Sequence, residues 1–165
     1  MAYIFDLDQT IVDSSIAEAY RRGRDWGKVY SLISRFKLYD GINDVLALIR
    51  ERGEKICIVT SSPESYCKAV LRYFNIQVDC IVCYHDTKLH KPNSEPIVKA
   101  IELLGEIPDN IISIGDDEKD IIASKAAGVC GCLALWGTRN FNGYTSADYI
   151  FASVEELKKF ITVEE

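Results

Sequence analysis

The chain has 165 residues, of which 48% are hydrophobic and 27% are charged, and its formal net charge at pH 7 is −6. The apolar content excludes an intrinsically disordered chain, and the length suits a single domain that folds without disulfides or a structural metal. The acidic balance argues against a general binder of nucleic acids or of anionic membranes.

Strand-like and helix-like segments alternate along the chain. Continuous apolar runs predict strands at 2–5, 55–59, 80–84, 111–115, 130–136 and 149–151. Apolar residues at helical spacing, Tyr66 among them, predict helices at 41–52, 63–74, 94–104, 117–127 and 154–161. Because the strands are continuous apolar runs, both faces of their sheet should be covered. The pattern predicts an α/β fold: a doubly wound, Rossmann-like parallel sheet of about five or six strands.

Residues 14–40 do not fit the alternation and are too many for an ordinary connection. We expect a small helical cap there, inserted after the first strand into a core of residues 1–13 and 41–165. Its basic residues are Arg21, Arg22, Arg24, Lys28, Arg35 and Lys37. They indicate either a basic rim that attracts a phosphorylated substrate or the solvated faces of amphipathic helices. Trp26 and Tyr30 are expected to anchor this cap rather than to stack on a substrate.

Reactive side chains follow the predicted strands, whose carboxyl ends share the edge where ligands bind. Asp6 and Asp8 leave the first strand, so one carboxylate can attack while the other moves a proton. Thr60 and Ser61 open a helix and could cradle an oxyanion or a phosphate. Lys91 precedes a proline, which keeps it out of helical geometry and lets its ammonium project into a cleft. Each feature alone is also compatible with a capped turn or a surface side chain.

A second group of acids begins the helix after the fourth core strand. Asp116 and Asp120 lie four residues apart, and hard oxygen ligands there suit Mg²⁺. Asp117 either joins the metal shell or faces solvent. The alternative interpretation is that a helix N-terminus simply favours acidic side chains.

The order of these motifs resembles the haloacid dehalogenase-like (HAD) hydrolase superfamily, nearest to its phosphoglycolate-phosphatase-like branch. The segment from Asp6 to Thr10 resembles the first family motif, DxDxT, and Thr60 resembles the second. Lys91 matches the third motif, and the segment from Gly115 to Asp120 matches the fourth in its GDxxxD form. The resemblance covers nearly the whole chain except the cap segment, which is shorter than is common in this branch.

The resemblance implies a phosphatase that hydrolyses a phosphomonoester through an aspartyl-phosphate. Asp6 would be the nucleophile, and Asp8 the acid that protonates the leaving alcohol and then the base that activates water. Mg²⁺ would be held by Asp6, the backbone carbonyl of Asp8 and Asp116, with Asp120 and Asp117 around this set. The presence of Asp8 favours phosphoryl transfer over dehalogenation, because displacing a halide needs no leaving-group proton.

Thr60, Ser61 and Lys91 would hold the phosphoryl oxygens in the same interpretation. Two alternatives use related chemistry: a phosphosugar mutase of the superfamily, and a receiver-like signalling domain that stores an aspartyl-phosphate. The expected partner is a phosphorylated small molecule, with no nucleic acid and no membrane, and homo-oligomerisation is left open.

The start of the chain and the six cysteines bear on location. Asp6 stands where a signal peptide would need its apolar core, and no apolar run approaches the length of a membrane span, so we expect a cytoplasmic protein. The CxxC pair Cys80 and Cys83 and the CxC pair Cys130 and Cys132 allow a zinc site. Their flanking residues favour small side chains inside strands.

Overall fold

The protein, described by a computed structural model over residues 1–163, is built from eight strands and seven helices in that part of the chain. In chain order the strands are β1 Ala2–Phe5, β2 Val12–Asp13, β3 Lys37–Leu38, β4 Lys55–Val59, β5 Cys80–Val82, β6 Ile111–Gly115, β7 Cys130–Ala134 and β8 Tyr149–Phe151. The helices are α1 Glu18–Arg22, α2 Trp26–Leu32, α3 Ile42–Glu51, α4 Glu64–Tyr73, α5 Glu95–Leu104, α6 Glu118–Ala126 and α7 Val154–Val163.

Six of the strands form one sheet in the order β5-β4-β1-β6-β7-β8, and every pair is parallel. Side chains of β1 alternate between its faces. Tyr3 and Phe5 pack in one buried cluster with α3, α4 and α7, whereas Ala2 and Ile4 pack in another with α5. Helices therefore cover both faces, which confirms the predicted doubly wound α/β fold.

Two strands end earlier than the sequence predicted. The third core strand, β5, stops at Val82 because Tyr84–Asp86 forms a single 3₁₀ turn, in which the Asp86 carboxylate accepts a 2.7 Å hydrogen bond from the Cys83 N–H. Strand β7 stops at Ala134, whose carbonyl accepts a 3.2 Å hydrogen bond from the Gly137 N–H. Both predicted strand ends are instead loops at the carboxyl edge of the sheet, where they contribute to the candidate site.

The segment of residues 14–40 contains α1, α2 and two short 3₁₀ turns. The antiparallel pair of β2 and β3 joins its ends, with Val12 opposite Leu38. This pair was not predicted, because two-residue strands show no readable periodicity. The ring centroid of Trp26 lies 5.6 Å from that of Tyr66 in α4, and the Tyr30 ring makes an edge contact with Tyr66 at 6.4 Å. The segment is therefore packed onto α4 through aromatic rings, as expected.

Five of the six cysteines lie in β4, α4, β5 and β7, and the sixth, Cys83, follows β5. Cys57 and Cys80 are register partners in β4 and β5, and no disulfide is formed among the cysteines of residues 1–163. In that same part of the chain, no helix combines the length and the apolar composition needed to cross a bilayer.

Candidate active site

Lys91 is the central residue of the site. Its Nζ is buried and donates to Asp6 Oδ1 at 3.1 Å, to Asp120 Oδ1 at 2.5 Å and to the carbonyl oxygen of Val59 at 3.0 Å. These acceptors come from the ends of β1 and β4 and from α6, so one ammonium joins three elements at the carboxyl edge of the sheet. The side chain does project into a cleft, as the sequence predicted for Lys91.

Burial and neighbouring charges both shift the pKa values of Asp6 and Lys91. Burial raises the pKa of Asp6 to about 7. The charge of Lys91 opposes this rise, and the charges of Asp120 and Asp8 add to it. Burial alone would lower the pKa of Lys91, but the charges of Asp120 and Asp6 outweigh it and hold that pKa above its usual range. The lysine therefore stays protonated beside a carboxyl group that resists ionisation.

Asp116 lies directly after β6 and lines a cavity that Asp6 and Asp8 also line. Its Oδ1 accepts a 3.2 Å hydrogen bond from Thr10 Oγ1, and its backbone carbonyl accepts one of 2.7 Å from Thr138 Oγ1. Burial, together with the charges of Asp6 and Asp120, raises the pKa of Asp116 to about 9. Two neighbouring acids with raised pKa values indicate a site that is short of positive charge.

Asp117 and Asp120 form a reciprocal cap at the start of α6. The Asp117 carboxylate accepts from the Lys119 N–H at 2.9 Å, and the Asp117 N–H donates to Asp120 Oδ2 at 3.2 Å. Asp120 packs so tightly over Gly115 that a β-carbon on this glycine would lie 2.4 Å from the Asp120 side chain. The glycine before Asp116 therefore makes room for Asp120 to reach Lys91.

Three hydroxyl residues, Thr60, Ser61 and Ser62, lie in the loop between β4 and α4. Thr60 is buried, its N–H donates to the Val82 carbonyl at 2.9 Å, and its Oγ1 accepts a 3.1 Å hydrogen bond from the Ser62 N–H. Because that contact uses an acceptor position of Thr60, its hydroxyl proton remains available to an anion. Ser61 is exposed and lines the cavity next to Thr60.

Asp8 is held by donors from three parts of the chain. Its Oδ1 accepts from Ser14 Oγ at 2.6 Å and from the Tyr66 hydroxyl at 2.7 Å, and the Arg21 guanidinium lies 3.4 Å away. Its Oδ2 accepts from Ser62 Oγ at 3.3 Å. The carboxylate that the sequence assigned to proton transfer is thus a fixed hydrogen-bond acceptor rather than a free side chain.

Tyr66 and Ser14 are contacts of Asp8 that sequence reasoning missed. Tyr66 was included in the apolar stripe of its helix, where its fully buried ring does belong. Burial, and then the neighbouring charge of Asp8, raise the pKa of Tyr66 well above its usual range, so its hydroxyl donates to Asp8. The available signal was that a buried tyrosine hydroxyl requires a polar partner.

The clustered acids fit a divalent cation. Carboxylate oxygens of Asp6, Asp116 and Asp120 lie within 4.8 Å of one another. Both Asp120 oxygens already accept hydrogen bonds, one from Lys91 and one from the Asp117 N–H, so Asp6 and Asp116 are the better placed ligands. Buried hard oxygen donors with raised pKa values suit an ion such as Mg²⁺ more than a soft metal.

Two adjoining cavities meet at Asp6 and Asp8. The larger, of about 780 Å³, includes Asp116, and the smaller, of about 660 Å³, includes the residues predicted to bind phosphate. Three arginines of residues 14–40, Arg21, Arg22 and Arg24, line these cavities.

The other basic side chains of residues 14–40 lie outside these cavities. Lys28 Nζ lies 5.7 Å from the ring centroid of Tyr20, and Arg35 and Lys37 are exposed. The predicted basic rim therefore divides into a cleft-facing group of arginines and a solvated group.

The protein belongs to the class of α/β proteins that have an acid-rich cleft at the carboxyl edge of a parallel sheet. The chain belongs to the haloacid dehalogenase-like hydrolase family, whose family model matches residues 20–134. A phosphoglycolate phosphatase from Aquifex aeolicus is 32% identical over 127 residues, covering 76% of this chain and 59% of that protein. The pyrophosphatase PpaX from Halalkalibacterium halodurans is 29% identical over 130 residues, covering 76% of this chain and 60% of that protein.

The chain therefore spans about 60% of the length of these curated relatives. Among solved structures, CbbY from Rhodobacter sphaeroides, in complex with phosphate, superposes with a TM-score of 0.81 at 18% identity. That superposition covers 94% of this chain and 95% of the other. At this identity the likeness establishes the fold, which is the one predicted.

Proposed function

We propose that the chain is a Mg²⁺-dependent phosphatase that hydrolyses a phosphomonoester through an aspartyl-phosphate on Asp6. The observation that carries this proposal is the position of Asp6, which lies on both cavities, accepts a hydrogen bond from Lys91 and neighbours Asp8 and Asp116. The names of the relatives, phosphoglycolate phosphatase and pyrophosphatase, support phosphate chemistry.

In the first step, an Asp6 oxygen attacks phosphorus, and the bond between phosphorus and the leaving alkoxide breaks. Asp8 gives its proton to the alkoxide oxygen, so the alcohol leaves neutral. In the second step Asp8 takes a proton from water, which attacks phosphorus and restores the Asp6 carboxylate. Thr60, Ser61 and Lys91 hold the phosphoryl group: the two hydroxyls donate hydrogen bonds to its oxygens, and the Lys91 ammonium offsets their charge.

Mg²⁺ would be held by the carboxylates of Asp6 and Asp116 and by the backbone carbonyl of Asp8, with Asp120 and Asp117 outside that set. Bound there, the ion would neutralise charge on the phosphoryl group and help to orient it. The raised pKa values of Asp6 and Asp116 support this assignment, because both acids would ionise more readily beside a cation.

We also propose that residues 14–40 act as a small cap on a core of residues 1–13 and 41–165. The contact between Arg21 and Asp8 and the packing of Trp26 on Tyr66 support this division. A cytoplasmic location and a phosphorylated small-molecule substrate belong to the same proposal. The thiols of Cys57 and Cys67 suit a reducing compartment.

The test is a steady-state assay of phosphate release from a panel that includes an aryl phosphate, sugar phosphates, 2-phosphoglycolate and pyrophosphate. Each substrate is measured with Mg²⁺ and with EDTA. We expect activity that needs Mg²⁺ and that disappears in Asp6→Asn. Asp40→Asn, which neutralises an exposed acid, is the matched control and should retain full activity.

Mass spectrometry of the quenched enzyme should place a phosphate adduct on the peptide that carries Asp6. Full activity of Asp6→Asn would overturn the nucleophile assignment. A rearranged sugar phosphate without phosphate release would identify a mutase instead. A long-lived phosphoprotein without turnover would identify a receiver-like signalling domain.

A further inference from the structure

A hydrogen bond joins the Asp8 carboxylate to Tyr66, a buried aromatic residue of α4. The Tyr66 hydroxyl donates to Asp8 Oδ1 at 2.7 Å, and the Tyr66 side chain is fully buried. The same ring is flanked from the cap by Trp26, at 5.6 Å between centroids, and by Tyr30, at 6.4 Å. One side chain thus contacts both the proton-transfer group and the cap.

We propose that Tyr66 is a positioning residue that orients Asp8 for proton transfer to the leaving group and links this orientation to the packing of the cap. The inference rests on the proposed function, in which Asp8 is the acid and the base. It goes beyond the four sequence motifs, because Tyr66 lies in none of them.

The ring of Tyr66 is suited to this role because its hydroxyl lies on a rigid side chain with few rotatable bonds. Ser14 and Ser62 also donate to Asp8, but a serine hydroxyl rotates to suit its partner. Arg21 is longer and lies farther from Asp8, at 3.4 Å. Tyr66 therefore contributes the most restrained of the contacts that set the direction of the carboxylate.

A substrate with a good leaving group needs no proton from Asp8, whereas an alkyl phosphate does. Loss of orientation at Asp8 should therefore slow the first step, formation of the aspartyl-phosphate, selectively for alkyl esters. The second step, in which Asp8 activates water, is the same for both substrates, so kcat/KM, which reports the first step, is the quantity to compare. If the role of Tyr66 were purely structural, its substitution would reduce kcat/KM for all substrates alike. The pair of substrates separates these two roles in a single variant.

The test compares glycerol phosphate with p-nitrophenyl phosphate in wild type and in Tyr66→Phe, using the full chain with Mg²⁺. We expect kcat/KM for glycerol phosphate to fall about tenfold in Tyr66→Phe, and kcat/KM for p-nitrophenyl phosphate to change by less than about twofold. The readout is the ratio of the two kcat/KM values, because a merely structural loss would leave that ratio unchanged.

Two variants of Tyr30 leave Tyr66 in place, so they test the proposal even if Tyr66→Phe does not fold. Its hydroxyl donates to Ser65 Oγ at 2.8 Å, and its ring is partly exposed. Tyr30→Phe removes a hydroxyl without touching Asp8 and should leave both substrates unaffected. Tyr30→Ala removes a ring that packs on Tyr66 and should show a weaker form of the same selective loss, about twofold to threefold for glycerol phosphate.

Equal losses of kcat/KM for both substrates in Tyr66→Phe, no loss of kcat/KM for either, or a gain in kcat/KM for glycerol phosphate would each overturn the positioning role. If Tyr66→Phe does not fold, an unchanged substrate ratio in Tyr30→Ala would overturn it. These results differ from a failure of the proposed function, in which wild type releases no phosphate from either ester and both proposals are lost.

Discussion

Gly137 packs directly against the carbonyl oxygen of Gln9, and a β-carbon on Gly137 would lie 1.5 Å from that oxygen. Gln9 itself has a φ of 63°, in the left-handed region that disfavours residues with a side chain. Its side chain offsets this strain, since Gln9 Oε1 accepts a 2.9 Å hydrogen bond from the Ser14 N–H. The loop after β7 therefore supports the turn that carries Asp6 and Asp8.

Replacement of Gly137 by alanine should displace this turn. We expect Gly137→Ala to lower the free energy of unfolding by about 2 kcal/mol or more and to reduce phosphatase activity at least tenfold. Urea unfolding and phosphate release measure the two effects. Gly27→Ala is the control: Gly27 lies in α2, where the nearest neighbour of a β-carbon is 3.9 Å away. That variant should be unchanged or more stable by about 0.5–1 kcal/mol. Equal behaviour of the two alanine variants would contradict the packing argument.

The Lys91 ammonium neutralises the charge of two carboxylates, those of Asp6 and Asp120. Lys91→Met should lower the free energy of unfolding by about 3 kcal/mol at neutral pH, since it leaves Asp6 and Asp120 without their cation. Activity should fall about a hundredfold or more, because the variant also loses the positive charge that offsets the charge of the phosphoryl group. Chemical unfolding and phosphate release report the two losses.

The destabilisation in Lys91→Met should be smaller below pH 7, since Asp6 then takes up a proton and needs no counter-charge. Lys88→Met, at an exposed lysine of the same loop, should match wild type throughout. A destabilisation that stays constant with pH would show that Lys91 contributes packing rather than charge.

The two raised pKa values predict how pH affects the metal-free protein. Asp6, at about 7, and Asp116, at about 9, both lie above the usual 3.8, so the folded state favours their protonated forms. Their contribution to stability is present below their usual pKa and is lost as the pH rises through about 7 and then about 9. Protons also compete with a cation for the same oxygens.

We therefore expect Mg²⁺ to raise Tm more at about pH 9 than at about pH 6, relative to EDTA at the same pH. Thermal unfolding at a series of pH values measures this difference. Asp116→Asn should reduce both the pH dependence in EDTA and the Mg²⁺ effect, whereas Asp40→Asn should preserve them. A Mg²⁺ effect that is larger at the lower pH would place the ion away from these acids.

Trp26 packs its ring on Tyr66 and so joins residues 14–40, the proposed cap, to α4. Trp26→Ala should loosen residues 14–40 while the parallel sheet stays folded. We expect faster limited proteolysis and faster amide hydrogen exchange within that segment, with at most a small change elsewhere. Uniformly faster exchange across the chain would instead show that Trp26 stabilises the whole fold.

The amino-acid sequence already determined the order of strands and helices and the edge of the sheet where the acids gather. Continuous apolar runs require a sheet covered on both faces, and parallel connections bring Asp6, Thr60 and Asp116 to the same edge. The strand ends at β5 and β7 were placed too late, because apolar residues in a turn look like strand residues when only composition is visible. The pairing of β2 with β3 left no periodicity to detect.

What only the tertiary structure decided is which donors hold each carboxylate. Sequence spacing could place Asp8 beside Asp6, but the contact with Tyr66 joins residues that are 58 positions apart. Likewise, Thr10 and Asp116 are 106 positions apart in the sequence, and they meet because β1 and β6 pair side by side. The physical reason is that residue types and local periodicity specify elements, whereas hydrogen-bond partners and pKa values depend on how those elements pack in three dimensions.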